Sequence, residues 1–429
     1  MTVLMFGWEF PPHISGGLGT ACFGLSMALR EENIRLLFVV PKAYGDEYIS
    51  LINASDVIVG QETEWVEKIS QEKMEGSKQI SVPSNLRPYS MSEADEMLEE
   101  WNWQFISESR EKVKTKEGIR FNFTGKYGPS LLDEVKRYAD VASVIAREND
   151  FDIIHAHDWL TYLAGIEAKK VSGKPLVVHV HATEFDRAGV LNIDQRVFEI
   201  EKTGLDEADR IIAVSQWTKD IITEKYGIDP AKVKVVHNGV MPPEDTEFTA
   251  IPRIGDHVVT FLGRITYQKG PQYFIEAARK VLDYFPEVHF VMAGSGDLLP
   301  AMIEQVAKMK LSSRFHFTGF LKGKQMNQVW SVTDVYVMPS VSEPFGITPL
   351  EAVEAGVPVI VSNQSGVAEV MDHAIKVDFW DTNALADAIV NVLKHKSLSE
   401  SLKVNSKKEI QSLTWQRAAR RINQLYHEL

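Results

Sequence analysis

Cysteine is almost absent: Cys22 is the only one in 429 residues, so no internal disulfide can form and a reducing compartment is the simpler expectation. Long hydrophobic runs are missing too. None reaches the ~18 residues a membrane span needs, and Met1 to Phe10 lacks the positive n-region and apolar h-region of an export signal. A cytoplasmic protein without membrane insertion is expected. Positive charge is in deficit, 46 Lys and Arg against 59 Asp and Glu for a net charge of −13. That balance disfavours nonspecific attraction to nucleic acid or anionic lipid, and no nucleic-acid partner is expected. Compositional bias is lacking as well. With 44% hydrophobic residues, 27 glycines and 18 prolines, collagen-like, low-complexity and wholly disordered classes are excluded.

What is present is enough chain for two domains. Strand-length apolar runs alternate with helical patterns at Val3 to Phe6, Leu36 to Val40, Ile153 to Ala156, Leu176 to Val180 and Ile211 to Val214. A second series follows at Val258 to Leu262, Val288 to Ala293, Phe315 to Thr318, Val335 to Met338 and Val357 to Val361. Such alternation is the pattern of α/β architecture, here two Rossmann-like doubly wound domains. The expected division is 1–245, with an insertion at about 45–130, then 255–410, then a carboxyl-terminal helix at 411–429. Met241 to Asp256, proline-containing and poor in apolar residues, reads as linker and hinge. The insertion is too long and polar for an ordinary loop. Within it Met97, Trp101 and Phe105 recur every four residues, which fits a buried helix face or aromatic stacking on an acceptor sugar. Trp415, Ala418, Ala419, Ile422, Leu425 and Tyr426 stand at helical spacing and should pack on the body.

In doubly wound folds the ligand lies outside the carboxyl ends of the strands, so the loops there carry the chemistry. The first, from Pro11 through Gly16-Gly17-Leu18-Gly19, would let backbone N–H groups approach an anion at a helix amino end, although a tight turn also uses glycine for steric reasons. In the second, Gly263-Arg264 and Lys269-Gly270 put a planar guanidinium and a compact ammonium near another helix start, which suits a diphosphate. The third runs from Ser342 through Glu343-Pro344-Phe345-Gly346-Ile347-Thr348-Pro349 to Glu351. Thr348 has N-cap chemistry and Glu351 follows it by three, a capping-box pattern, whereas Glu343 has no such structural duty. The amides of Gly346, Ile347 and Thr348 beside two carboxylates suit phosphates and sugar hydroxyls together. The fourth cluster is His155-Ala156-His157-Asp158 with His179-Val180-His181, each histidine pair on one face of its strand. Four such histidines suit zinc or, more simply, polar contacts. Asp150-Phe151-Asp152 resembles a sugar-transferase metal motif but precedes its strand, so no catalytic metal and no resident cofactor are expected.

These motifs, taken in order across nearly the whole chain, resemble the retaining GT-B glycosyltransferases of families 4 and 5, and within them the glycogen and starch synthases. The likeness rests on Trp8-Glu9-Phe10-Pro11-Pro12 with Gly16-Gly17-Leu18-Gly19, on His155-Ala156-His157-Asp158-Trp159, and on His181-Ala182-Thr183-Glu184. It continues through Val236-His237-Asn238-Gly239-Val240, Gly263-Arg264 with Gln268-Lys269-Gly270, Gly294-Ser295-Gly296, and Glu343 with Glu351. The resemblance implies two domains facing a central cleft and a nucleoside-diphosphate-sugar donor, of which ADP-glucose and UDP-glucose are the examples, with a glucan or oligosaccharide acceptor. It assigns Arg264 and Lys269 to the diphosphate, Glu351 to ribose hydroxyls, Glu343 to the transferred sugar, His181 and Asp158 to the amino-domain side, and Gly17 to the diphosphate. Gly366 and Val367 would contact the donor. It also implies retention by a front-face route in which the leaving diphosphate takes the acceptor's proton. Ile14-Ser15-Gly16-Gly17-Leu18-Gly19-Thr20 departs from the Lys-Thr-Gly-Gly-Leu-Gly-Asp usual in bacterial glycogen synthases and leans toward the broader family 4. Other readings are a family 4 transferase with a different sugar and acceptor (exopolysaccharide, lipid or small molecule), an epimerase or phosphorylase on the same fold, and a noncatalytic nucleotide-sugar-binding protein. A phosphorylase would need a pyridoxal-bearing lysine, for which there is no sequence context.

Overall fold

Alternating apolar strands and amphipathic helices fold, in the computed structural model, into two wholly parallel sheets and a small antiparallel one. The structure describes residues 1–13, 16–59, 112–114, 119–189, 192–240, 251–321 and 323–429. Met97, Trp101 and Phe105 lie outside the described residues, as does most of the proposed linker. The first sheet takes β1 (Thr2–Phe6), β2 (Arg35–Val40) and β3 (Ile52–Asn53) from the amino-terminal segment. The small sheet comprises β4 (Ile58–Val59), β5 (Lys112–Lys114) and β6 (Ile119–Phe121). The first sheet is completed by β7 (Ile153–His157), β8 (Leu176–Val180), β9 (Arg210–Ala213) and β10 (Val233–Val235). Its order is β10-β9-β8-β7-β1-β2-β3. The second sheet comprises β11 (Val258–Leu262), β12 (His289–Ala293), β13 (Phe315–Gly319), β14 (Val335–Met338), β15 (Val359–Ser362) and β16 (Ile375–Val377), ordered β13-β12-β11-β14-β15-β16.

Both sheets reverse direction at one strand pair, β1/β7 in the first and β11/β14 in the second. These reversals are where doubly wound sheets open a crevice for ligand. Because both faces are covered, the strands read as continuous apolar runs with the two cores drawn from alternate residues. On β1, Leu4 and Phe6 join the core that contains helices Leu131–Glu148 and Trp159–Ser172. Val3 and Met5 join the opposite one, with helix Gly17–Glu31. The same parity on β7 and β8 sets Ile153 and Val177 on the Gly17–Glu31 face, and His155, His157 and His179 with them.

The closing helix, Trp415–Tyr426, returns to the first domain. Trp415, Ala418, Ala419, Ile422, Leu425 and Tyr426 are all buried there against Gly17–Glu31. Trp415 packs so closely that a Cβ on Gly24 would lie 2.4 Å from its indole. Two segments therefore pass together between the domains, and they are paired: Val240 bridges Thr414, and the Val240 N–H donates to the Leu413 carbonyl at 3.0 Å.

Candidate active site

The loops after β11 and β14 meet at the switch point of the second sheet. After β11 the chain passes Gly263 and Arg264, makes one tight turn at Tyr267–Lys269, and enters helix Pro271–Val281. Gly270, at φ +64°, is the helix N-cap; a Cβ there would lie 2.1 Å from the Pro339 carbonyl oxygen, so the two loops touch through backbone. The Val341 N–H donates to the Gln268 carbonyl at 2.9 Å. This contact sets Lys269 against Glu343 in a direct ion pair. The side chains are 20% and 8% exposed, and Ser340 donates to the same carboxylate at 3.3 Å. Arg264 is partly buried on the same loop and donates to Gln268 at 3.2 Å.

The loop after β14 corrects one expectation and reverses another. Helix Ile347–Glu354 starts one residue before Thr348, with Gly346 (φ +99°) as its N-cap and no side-chain cap. Thr348 and Glu351 therefore form no capping box: a left-handed glycine begins the helix instead, which moves both side chains into the helix body. Glu351 is relieved of structural duty. Its carboxyl accepts no hydrogen bond among the described residues, and burial pushes its pKa up to about 7. Glu343, expected to be free of structural duty, carries the ion pair with Lys269, while its backbone pairs with Gln364 and Gly366. The amides of Gly346, Ile347 and Thr348 have no acceptor among the described residues. Gly366 and Val367 follow in the loop after β15. Their N–H groups are engaged by the Glu343 and Phe345 carbonyls and both residues are buried, so they support the loop from behind.

Helices that start at the two switch points lack side-chain N-caps at Gly16, Asp158, Gly270 and Gly346. Elsewhere Asp194, Ser215, Asp381 and Thr414 cap their helices, whereas the helices after Ser130, Leu298, Gly323 and His395 also begin without a side-chain cap. Uncapped amide ends aimed at one region suit an anion. The first-sheet loop qualifies this in one respect: the Gly19 N–H already donates to the buried Glu9 carboxylate at 3.1 Å. Gly17 is exposed, with open space where a Cβ would stand.

Asp158 follows β7 at φ +58°, ψ 171°, a conformation costing a non-glycine residue about 1–3 kcal/mol. Its carboxylate accepts from the N–H groups of His181 (2.6 Å) and Ala182 (3.2 Å), which pins the loop after β8 to it. Burial outweighs these bonds and Arg187, raising its pKa to about 7. His181 Nε2 is hydrogen-bonded to His157 Nδ1 at 2.9 Å, and burial depresses its pKa to about 3, so it is neutral. All four histidines cluster, the predicted polar contacts being made largely to one another and to Tyr426. His155, His157 and His179 have metal-ligand proximity, as do His157 and His181 with Cys22. Asp150 and Asp152 lie apart from it, lining a recess of about 500 Å³ at the opposite edge of the sheet; Asp152 accepts there from the Thr2 N–H.

Across the cleft, Ser342 donates to Asp186 and receives the Trp217 indole N–H at 3.2 Å. Ser215 and Thr218 donate to the Pro344 carbonyl. Glu369 accepts the N–H groups of Gln216 and Trp217 at 2.9 and 2.6 Å, capping a first-domain helix from the second domain. Sequence reasoning missed these contacts, and it gave Glu9, Cys22 and Tyr426 no part in the site, because their partners lie far away in the chain.

Residues 107–242 match the family model Glycosyltransferase Family 4 and residues 245–409 match Glycosyl transferases group 1. An uncharacterized glycosyltransferase of Methanocaldococcus jannaschii is 28% identical, the alignment covering 99% of this chain and 98% of the relative. A glycogen synthase of Mycobacterium tuberculosis is 26% identical over 99% of this chain and 94% of its own. Among solved structures, sucrose-phosphate synthase from Thermosynechococcus elongatus superposes with TM-score 0.70 at 17% identity, covering 100% of this chain and 98% of that one. Anabaena HepE, in complex with UDP and glucose, superposes with TM-score 0.65 at 16% identity over 100% of both chains. No helix among the described residues is long and apolar enough to cross a membrane.

Proposed function

We propose that this chain, which belongs to the GT-B glycosyltransferases, moves glucose from a nucleoside diphosphate to a saccharide acceptor with retention of anomeric configuration, in the manner of a glycogen synthase. The observation that carries the reading is the meeting of Lys269 and Glu343 at the β11/β14 switch point, beside amides that have no acceptor among the described residues. The glycogen synthase relative supports glucose and a glucan acceptor, and HepE, which holds UDP and glucose, supports a nucleotide-sugar donor.

In this account Arg264, Lys269 and the amides of Gly346, Ile347 and Thr348 receive the diphosphate, with Gly17 approaching from the first domain. Glu351, whose carboxyl has no hydrogen bond among the described residues, accepts the ribose hydroxyls. Glu343 borders the transferred sugar, opposite His181 and Asp158. As the bond from C1 to the diphosphate oxygen breaks, negative charge grows on the leaving group, and fixed cations and amides stabilise it without reorganising. The acceptor hydroxyl forms the new bond to C1 and gives its proton to the departing phosphate oxygen, so neither a protein nucleophile nor a metal is needed. Neutral His181 then acts by hydrogen bonding and not by charge. Closure of the cleft through Ser342, Trp217 and Glu369 excludes water from the donor. The reading places the enzyme in the cytoplasm.

A panel of ADP-, UDP- and GDP-sugars, each assayed with and without maltooligosaccharide, tests this. Glucose transfer that depends on the oligosaccharide is expected. Turnover with a non-glucose donor alone defeats the glucan-synthase reading and leaves a transferase of different specificity.

A further inference from the structure

Beneath helix Gly17–Glu31 the four histidines form a two-by-two block. His155 stacks on His157 with ring centres 4.4 Å apart, and His179 on His181 at 4.3 Å. Hydrogen bonds join the stacks, His155 Nε2 to His179 Nδ1 at 3.2 Å and His157 Nδ1 to His181 Nε2 at 2.9 Å. The Tyr426 hydroxyl engages His155 Nδ1 at 2.5 Å. These bonds use both nitrogens of His155 but leave His157 Nε2 and His179 Nε2 buried without a partner among the described residues. Whichever tautomer each ring adopts, a buried nitrogen that is a bare lone pair or an unmatched N–H costs about 1–3 kcal/mol. The proposed transfer mechanism uses only His181 and gives no reason for such a block.

The missing partner has a chemical character. Cys22, the single cysteine of the chain, is buried on the helix above. One ligand atom each from Cys22, His157 and His181 lies within 4.8 Å of the other two. Tetrahedral zinc, with Zn–S of about 2.3 Å and Zn–N of about 2.0–2.1 Å, sets such atoms roughly 3.3–3.6 Å apart, so closing on an ion needs movements of roughly an ångström. A soft sulfur with two imidazole nitrogens and an open fourth position is a zinc-class donor set. Burial, with Asp158 and Glu9 nearby, pushes the Cys22 thiol well above its usual pKa, so it stays protonated until an ion displaces the proton. His157 is fully buried while His181 keeps partial exposure, which gives an ion an entry at the cleft.

We propose that Cys22, His157 and His181 form a binding site for a thiophilic divalent transition metal of the zinc class, entered from the cleft, and that its occupation blocks sugar transfer. Binding breaks the Cys22 S–H bond, forms the S–metal bond and releases one proton to solvent, with no change of oxidation state. His157 offers the ion the nitrogen that has no partner among the described residues, and His181, turning a lone pair to the ion, is withdrawn from the donor sugar. The inhibitory half rests on the function proposed above; the binding half does not.

Cobalt(II) titration of the full chain tests the site, because a thiolate-to-cobalt charge-transfer band can arise here only from Cys22. The band should saturate at one equivalent, be displaced by zinc, and vanish in Cys22→Ser. X-ray absorption at the zinc edge of the wild type should find one sulfur neighbour, which keeps the test decisive if the variant does not fold. One equivalent of zinc should lower nucleoside-diphosphate release, reversibly by chelator. Measured against its own metal-free rate, Cys22→Ser should need roughly tenfold or more zinc for the same loss. No cobalt band, or a zinc shell without sulfur, overturns the site. Equal zinc sensitivity in Cys22→Ser, or metal binding without loss of rate, overturns the inhibition. A chain that releases nucleoside diphosphate from no donor defeats the transferase reading and leaves the cobalt result standing.

Discussion

Replacing Lys269 by alanine removes a charge from the leaving-group site and strands the Glu343 carboxylate, and the two effects can be separated. Breaking a buried ion pair by deleting one partner costs about 3–5 kcal/mol. Here the Lys269 side chain is 20% exposed and Glu343 8%, and Ser340 still donates to the carboxylate at 3.3 Å. Solvent and Ser340 compensate in part, so the expected loss is at or just below the bottom of that range, about 2–3 kcal/mol. Turnover at saturating donor should fall by about 10²-fold, which corresponds to about 2.7 kcal/mol of transition-state stabilisation. The double variant Lys269→Ala with Glu343→Gln removes the stranded charge. Urea unfolding should show its stability back within about 1 kcal/mol of wild type, while nucleoside-diphosphate release stays low. Near-normal turnover in Lys269→Ala, or recovery of rate together with stability in the double variant, would refute the assignment of Lys269 to the departing diphosphate.

Burial lifts Glu351 from 4.5 to about 7, so between those values the folded protein holds a proton that the unfolded chain has lost. Stability falls across that window as pH rises; Glu351→Gln should lose this component, which then appears alone in the wild-type-minus-variant unfolding curve, and donor affinity in the wild type should strengthen as pH rises through 7. Parallel curves for the two proteins would contradict both expectations. Gly24→Ala sets a helix-propensity gain of about 1 kcal/mol against overpacking of about 1–3 kcal/mol. With the added Cβ 2.4 Å from the Trp415 ring, the clash should win, giving a net loss of up to about 2 kcal/mol in urea unfolding and faster proteolysis of the closing helix. A gain in stability would refute the packing of that helix on Gly17–Glu31.

The sheets were legible because a strand buried on both faces must be apolar throughout, and every one of the ten apolar runs from Val3 to Val361 holds a strand of the two main sheets. The elements missed are short, among them β3, β10 and β16, where two or three residues give no pattern to read. The candidate loops were legible through the switch-point rule, which needs only strand order and chemistry. The roles of neighbouring residues within them were not. Whether Thr348 or Gly346 begins the helix depends on one backbone angle, and the better N-cap side chain lost to the residue that tolerates φ +99°. Glu343 seemed unencumbered because its partner Lys269 is 74 residues away. Cys22 stands far from the histidines in sequence, and only the packing of helix Gly17–Glu31 on that face of the sheet brings them together.

The central claim is that a sugar leaves a nucleoside diphosphate at the β11/β14 switch point and arrives on an acceptor with its configuration kept. Proton NMR of a running reaction with maltooligosaccharide and an α-linked donor follows both products at once. The account predicts one α-linked glucose gained by acceptor for each nucleoside diphosphate released, with both signals lost in Lys269→Ala. A β-linked first product, or diphosphate release with no sugar gained by acceptor, would contradict it.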